Sequence, residues 1–252
     1  MAILDLPAET WARALDLDEV PVALILEGTW WRARAEARRL ARLDDVRESA
    51  FPDIHLGRHR GRLVAYACAY GAARAVEPAH VFAQMGTPLL IQIGTCGAID
   101  AGLAAGSVAV PDLIVARDGL SALYGAGSEV ATSRGWSDRA VAALARRGVL
   151  AARTRHLTWP SLFAQSDAMV VDWRAQGLQS VDMEAGAVAA VAARFGGEAV
   201  ALLAVWDALA EGKTFLDPLG TQAQATLARA DEATFEAALD LAAEAGEARA
   251  AA

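Results

Sequence analysis

Two short stretches hold residue types that can do chemistry together. Residues 89–97 read Leu-Leu-Ile-Gln-Ile-Gly-Thr-Cys-Gly, and Val181-Asp-Met-Glu184 follows after about ninety residues. The first is a buried-strand pattern entering a Gly-Thr-Cys-Gly turn, where exposed backbone N–H groups and a hydroxyl can meet an anion. The second ends a strand and sends a carboxylate into a helix, where it can accept hydrogen bonds from a sugar's vicinal hydroxyls. In this order they suggest a site that binds an anion at one turn and a sugar diol at the other. Read locally, Glu184 is also simply a carboxylate favoured by a helix N-terminus, and Met183 a core residue.

The elements that must position these groups alternate along the chain. Apolar strand patterns at Val20–Glu27, Leu63–Ala69, Pro88–Ile93, Ser107–Ala116, Arg155–Thr158, Gln179–Asp182 and Ala199–Trp206 interleave with helical stretches. The helical stretches are Trp31–Leu43, Ala72–Met85, Ser137–Arg147, Ala185–Phe195 and Thr221 onward, with Pro78 expected to bend the second and Ser137 to cap the third. Apolar strands between helices imply a mixed, mainly parallel sheet covered on both faces. The expectation is one three-layer α/β domain over residues 1–252. No internal repeat, low-complexity linker or second-domain boundary interrupts it.

Composition narrows the function classes. The chain has 252 residues, 55% of them hydrophobic and 6% aromatic, so its core must be built mainly from Ala, Val and Leu. A formal charge of −8 argues against a nucleic-acid surface, which needs clustered Lys and Arg. No apolar run approaches the roughly 18 residues of a membrane span, and no basic region followed by an apolar stretch opens the chain. A soluble, cytoplasmic protein is expected. Cys68 and Cys96 lack metal-type spacing and read as buried reduced thiols; His55, His59, His80 and His156 are scattered, and Arg58-His59-Arg60 reads as a solvated turn. Neither a dinucleotide fingerprint nor a P-loop is present. No metal and no organic cofactor is expected.

Five segments in register resemble the nucleoside phosphorylase family, in the branch of uridine phosphorylase and the hexameric purine nucleoside phosphorylases. They are Glu27-Gly-Thr-Trp-Trp-Arg32, Ile91-Gln-Ile-Gly-Thr-Cys-Gly-Ala98, Arg117-Asp-Gly-Leu-Ser-Ala-Leu-Tyr124, Val181-Asp-Met-Glu-Ala185 and Val205-Trp-Asp207. The likeness is strongest over residues 20–210. It implies cleavage of a purine nucleoside or uridine by orthophosphate as co-substrate, releasing free base and ribose 1-phosphate. It also implies a homo-oligomer, a dimer or trimer of dimers, with small molecules rather than nucleic acid or membrane as partners.

Residue by residue, the resemblance implies phosphate at Gly28, Arg32 and Thr95, with Arg47 reaching the pocket of a neighbouring subunit. A glycine lets backbone approach an oxyanion, and a guanidinium offers a matching planar fork. Locally, Gly28 also reads as a turn residue and Arg32 as a solvated helix residue. Met183 would pack on the sugar face and Phe163 beside the base. Glu184 would stabilise an oxocarbenium-like transition state, and Asp207 would share a proton with a departing purine nitrogen. Asp207 alternatively reads as a helix N-cap. The Arg117–Tyr124 segment favours the uridine branch instead, although no Gln-x-Arg pair is present to read uracil.

Two departures matter. Gln92 stands where the family's phosphorylases carry Arg, and Thr29 where the phosphate loop carries Asp. A neutral amide forms weaker bonds to an anion than a guanidinium does. Hydrolysis by water, as in a nucleosidase, and nucleoside binding without catalysis therefore stay open beside phosphorolysis.

Overall fold

The computed structural model describes residues 3–251. The strands are β1 (Ala23–Gly28), β2 (Asp44–Glu48), β3 (Ile54–His59), β4 (Arg62–Cys68), β5 (Leu89–Ala98), β6 (Val108–Ala116), β7 (Glu129–Ala131), β8 (Ala151–Thr158), β9 (Ser180–Asp182) and β10 (Glu198–Ala208). The helices are α1 (Ala8–Ala14), α2 (Arg32–Leu40), α3 (Ala72–Met85), α4 (Arg134–Arg146), α5 (Asp167–Ala175), α6 (Ala185–Arg194) and α7 (Thr221–Ala251). One mixed sheet takes all ten strands. β1 lies parallel between β4 and β5, and β10 lies parallel to β5 on its other side. β5, β10, β6, β8 and β9 close on one another as a ring, while β4, β3 and β2 extend the sheet beyond β1.

The apolar runs explain this arrangement. β1, β5 and β10 are buried on both faces, so they carry continuous Val, Ile, Leu and Ala rather than alternation. One face packs under α3 and α6, whose alanines allow close helix approach, and the other under α4 and α7. Burying a Leu or Ile side chain contributes about 1.5–3 kcal/mol, so the central strands anchor both layers.

Several boundaries differ from the sequence reading. The Gly94–Gly97 stretch is not a turn: β5 continues through it, paired with β10 and then with β9. Gly94 (φ 150°) makes this possible, because a Cβ there would come within 2.9 Å of the Gly28 carbonyl oxygen. Helix α4 begins behind Ser133, whose hydroxyl accepts from the Ala199 N–H, and Ser137 is fully buried inside the helix. Asp207 is part of β10, at a bulge, rather than a helix cap. Helix α3 continues through Pro78.

A buried ion pair fastens the layers beside the open end of β1. Glu27 is 3% and Arg39 is 1% exposed. Arg39 Nε donates to Glu27 Oε2 at 3.0 Å, the Tyr66 hydroxyl donates to the same oxygen at 2.7 Å, and Arg39 Nη2 donates to Asp231 Oδ1 at 2.7 Å. Strands β1 and β4 are thereby tied to α2 and α7. Breaking such a pair from one side strands a buried charge and costs about 3–5 kcal/mol. Arg39→Ala should lose stability of that order in urea unfolding, and Glu27→Ala combined with it should cost less than the two single losses added. Strict additivity would show that the pair is not coupled.

Candidate active site

The C-terminal ends of β1, β4, β5, β9 and β10 open into one cavity of about 700 Å3. This is where parallel α/β sheets present binding groups. Gly28, Gly94 and Thr95 form part of its lining, with Met183 and Glu184 after β9, and Trp206 and Asp207 on β10.

Glu184 sits at the N-terminal boundary of α6 and is 4% exposed. The Gly71 N–H donates to its Oε1 at 2.5 Å. A Cβ on Gly28 would lie 2.9 Å from Glu184 Oε2 and 3.1 Å from Gln92 Nε2, so glycine at this position is a condition for the carboxylate to be there. Burial, reinforced by the negative charge of Asp182, pushes the Glu184 carboxyl up to about 8, against the lowering effect of the Gly71 and Met183 N–H groups. Asp182 is itself held by the Thr158 hydroxyl at 2.8 Å and the Ala185 N–H at 2.7 Å, with His156 Nε2 at 3.0 Å. His156 Nδ1 in turn meets Ser180 Oγ at 2.7 Å, so a buried polar column stands behind Glu184.

Asp207 is the second carboxylate. Burial pushes it up to about 6, the Phe215 N–H opposes the shift, and Asp217 adds to it. Its Oδ1 is buried without a hydrogen-bond partner. No arginine acts on Glu184 or Asp207 to offset these shifts.

The remaining sequence candidates divide. Gly28, Thr95 and Met183 line the cavity beside the two carboxylates. Arg32, Arg47, Gln92 and Phe163 are not among its lining residues. Arg32 is drawn outward by Glu36 at 2.8 Å and by Asp53. Arg47 lies exposed on β2, donating to the Asp16 carbonyl at 2.9 Å. Gln92 is buried, its Nε2 donating to the Ile93 carbonyl at 3.1 Å. Phe163 is 73% exposed, with its ring 5.5 Å from Trp30.

The structure gives Trp30, Trp31 and Trp206, which lie inside the matched segments, a place in an aromatic wall, and adds Tyr70 and Phe215 to it. Trp30 has Tyr70 at 5.0 Å and Phe215 at 6.0 Å, and Trp31 stacks on Trp206 at 5.5 Å and 22°. Flat apolar walls of this kind suit a heterocycle. An outer arm runs between α2 and α7, lined by Trp31, Arg34, Ala35 and Arg38 on one side and Gln224, Leu227, Ala228 and Asp231 on the other. Both sets follow the i, i+3, i+4, i+7 spacing of a helix face, a signal present in the sequence. Among the described residues, no three His, Cys, Asp or Glu side chains are grouped to hold a metal ion, and no helix is long and apolar enough to cross a membrane. Cys68 and Cys96 are free and buried.

With this geometry in hand, comparison with known proteins decides the family. A profile for the phosphorylase superfamily matches residues 26–249. The chain belongs to that superfamily. Among solved structures, uridine phosphorylase from Vibrio fischeri ES114 is similar with a TM-score of 0.76 at 18% identity, over 90% of this chain and 94% of that one. Its complex with 6-hydroxy-1-naphthoic acid gives 0.75 at 18% identity, over 88% and 91%. The Campylobacter jejuni 5'-methylthioadenosine/S-adenosyl homocysteine nucleosidase gives 0.70 at 15% identity, over 86% and 97%. A search of curated protein sequences finds no match. These likenesses establish the nucleoside phosphorylase-like fold that the sequence motifs implied.

The two carboxylates fix a pH signature for any reaction needing Glu184 ionised and Asp207 protonated. Asp207 loses its proton near 6, below Glu184 near 8, so the competent form is a minority throughout. Its share rises with pH up to about 6, stays level, and falls above about 8. A kcat/KM profile from pH 4.5 to 9.5 should show both limbs; a flat profile would contradict the pairing.

Proposed function

We propose that this protein cleaves the N-glycosidic bond of a nucleoside, with Glu184 at the sugar, Asp207 at the leaving base and water as the nucleophile. The C1′–N9 bond breaks with its electrons passing into the purine ring, whose N7 takes the proton of Asp207. The ionised Glu184, in contact with the sugar hydroxyls, stabilises the positive charge growing on the ring. Water adds at C1′ and releases a proton to solvent, from which Asp207 is reprotonated, so free base and free ribose are the products. Asp207 favours a purine, whose N7 it can protonate as N9 departs.

The observation that carries the choice of water is the position of the cations. Phosphate needs charge-assisted donors, yet Arg32 is engaged by Glu36 and Asp53, Arg47 is exposed on β2, and the Gln92 amide is neutral and already donates to the Ile93 carbonyl. Phosphorolysis is the second reading, favoured by Gly28, Thr95 and Arg34 in the cavity lining. It gains further support if a second copy of the chain brings its own Arg47 to the pocket, which makes a dimer or larger assembly part of that reading.

The test is base release from a panel of nucleosides in phosphate-free and phosphate-containing buffer, with analysis of the sugar product. The proposal expects equal rates and free ribose in both. Release that depends on phosphate and yields ribose 1-phosphate would transfer the assignment to phosphorolysis, and absence of release from every nucleoside would refute catalysis of this kind.

A further inference from the structure

Tyr70 lies between β4 and α3, directly before the Gly71 whose N–H holds Glu184. Its ring lines the cavity and packs against Trp30 at 5.0 Å. The hydroxyl is buried and has no hydrogen-bond partner in the protein; the same is true of Asp207 Oδ1. Burial, with the charges of Glu184 and Asp207, pushes the phenol up to about 12, so it remains a neutral donor across the physiological range. Unpaired buried polar atoms are costly and uncommon in folded proteins. Two in one aromatic-walled cavity mark a place where a ligand supplies the missing partners.

We infer that the Tyr70 hydroxyl binds the leaving base next to Asp207, and that together they select a purine bearing an oxo or amino group at C6, on the side of the ring where N7 takes the proton of Asp207. This deepens the proposed function and rests on it. The base is favoured over the sugar by the company the ring keeps: Tyr70 packs on Trp30, Trp30 meets Phe215, and the Phe215 N–H acts on Asp207. The sugar-side carboxylate already takes the Gly71 N–H. A phenolic hydroxyl can donate to an oxo group or accept from an amino group, so either substituent fits.

Tyr70→Phe keeps the ring and removes the hydroxyl. The wild type and this variant should be compared on 6-oxopurine, 6-aminopurine and unsubstituted purine ribosides by kcat/KM, and on the corresponding free bases by calorimetric binding. Thermal unfolding of both proteins shows whether the variant folds as the wild type does. The expected result is an unchanged Tm and a preference for the substituted bases, in turnover and in binding, that falls about tenfold in Tyr70→Phe, as loss of one hydrogen bond implies. Equal losses on substituted and unsubstituted compounds, or none on any, would overturn the inference. If no riboside is cleaved but base binding still loses its selectivity in Tyr70→Phe, the proposed reaction fails and the base contact stands.

Discussion

The site depends on keeping one carboxylate out of water. Glu184 has no cation beside it, and its nearest acidic neighbour, Asp182, is two residues away. Backbone is its main compensation: the Gly71 N–H reaches it directly, and the Gly28 backbone lies so close that a Cβ would collide with it. Both contacts require strand ends held in fixed register. Gly28 and Gly94 are partners across the parallel β1–β5 ladder, and Gly94 itself has no room for a Cβ against Gly28. The absent Cβ of Gly28 therefore leaves the space into which both the Glu184 carboxylate and the Gln92 amide reach.

What surrounds this carboxylate follows from the same constraint. A group kept in low dielectric is sensitive to small charges, which gives Asp182 leverage over Glu184. Apart from Arg34 in the outer arm, the arginines nearest this end of the sheet are committed elsewhere. Arg39 neutralises Glu27, Arg38 meets Asp231 at 2.8 Å, and Arg32 faces Glu36. These pairs stabilise the α2–α7 side of the molecule, and among the described residues no arginine acts on Glu184. A cation forming on a sugar ring is then the charge best matched to an ionised Glu184.

Much of the architecture was legible because burial writes itself into composition. β1, β5 and β10 are apolar on both faces, and α6 is rich in alanine because it is buried against the sheet and α3. The three-residue β7 and the exposed, charged β2 carry no such signature and were not anticipated. The cap of α4 was misplaced because Ser133 and Ser137 are equivalent in local chemistry; the difference is the Ala199 N–H, 66 residues away in sequence. The site divides in the same way. Glu184, Asp207, Gly28 and Thr95 lie on strand ends that the fold brings together. Arg32 was expected at the phosphate, but Asp53, 21 residues on, competes for it, and no local pattern announces that pairing. Tyr70 carries no motif at all, since its position matters only once Trp30 and Asp207 fold beside it.

The most direct test of the account is the ionisation of Glu184 itself. Carboxyl-carbon NMR on protein labelled at glutamate, with Glu184→Gln to assign the resonance, would follow this group across pH 4 to 10. A midpoint near 8 is predicted, far above that of the solvent-exposed glutamates. A midpoint in the ordinary carboxylate range, near 4.5, would mean that water or an unrecognised cation reaches Glu184, and the picture of a desolvated carboxylate held by backbone alone would be wrong.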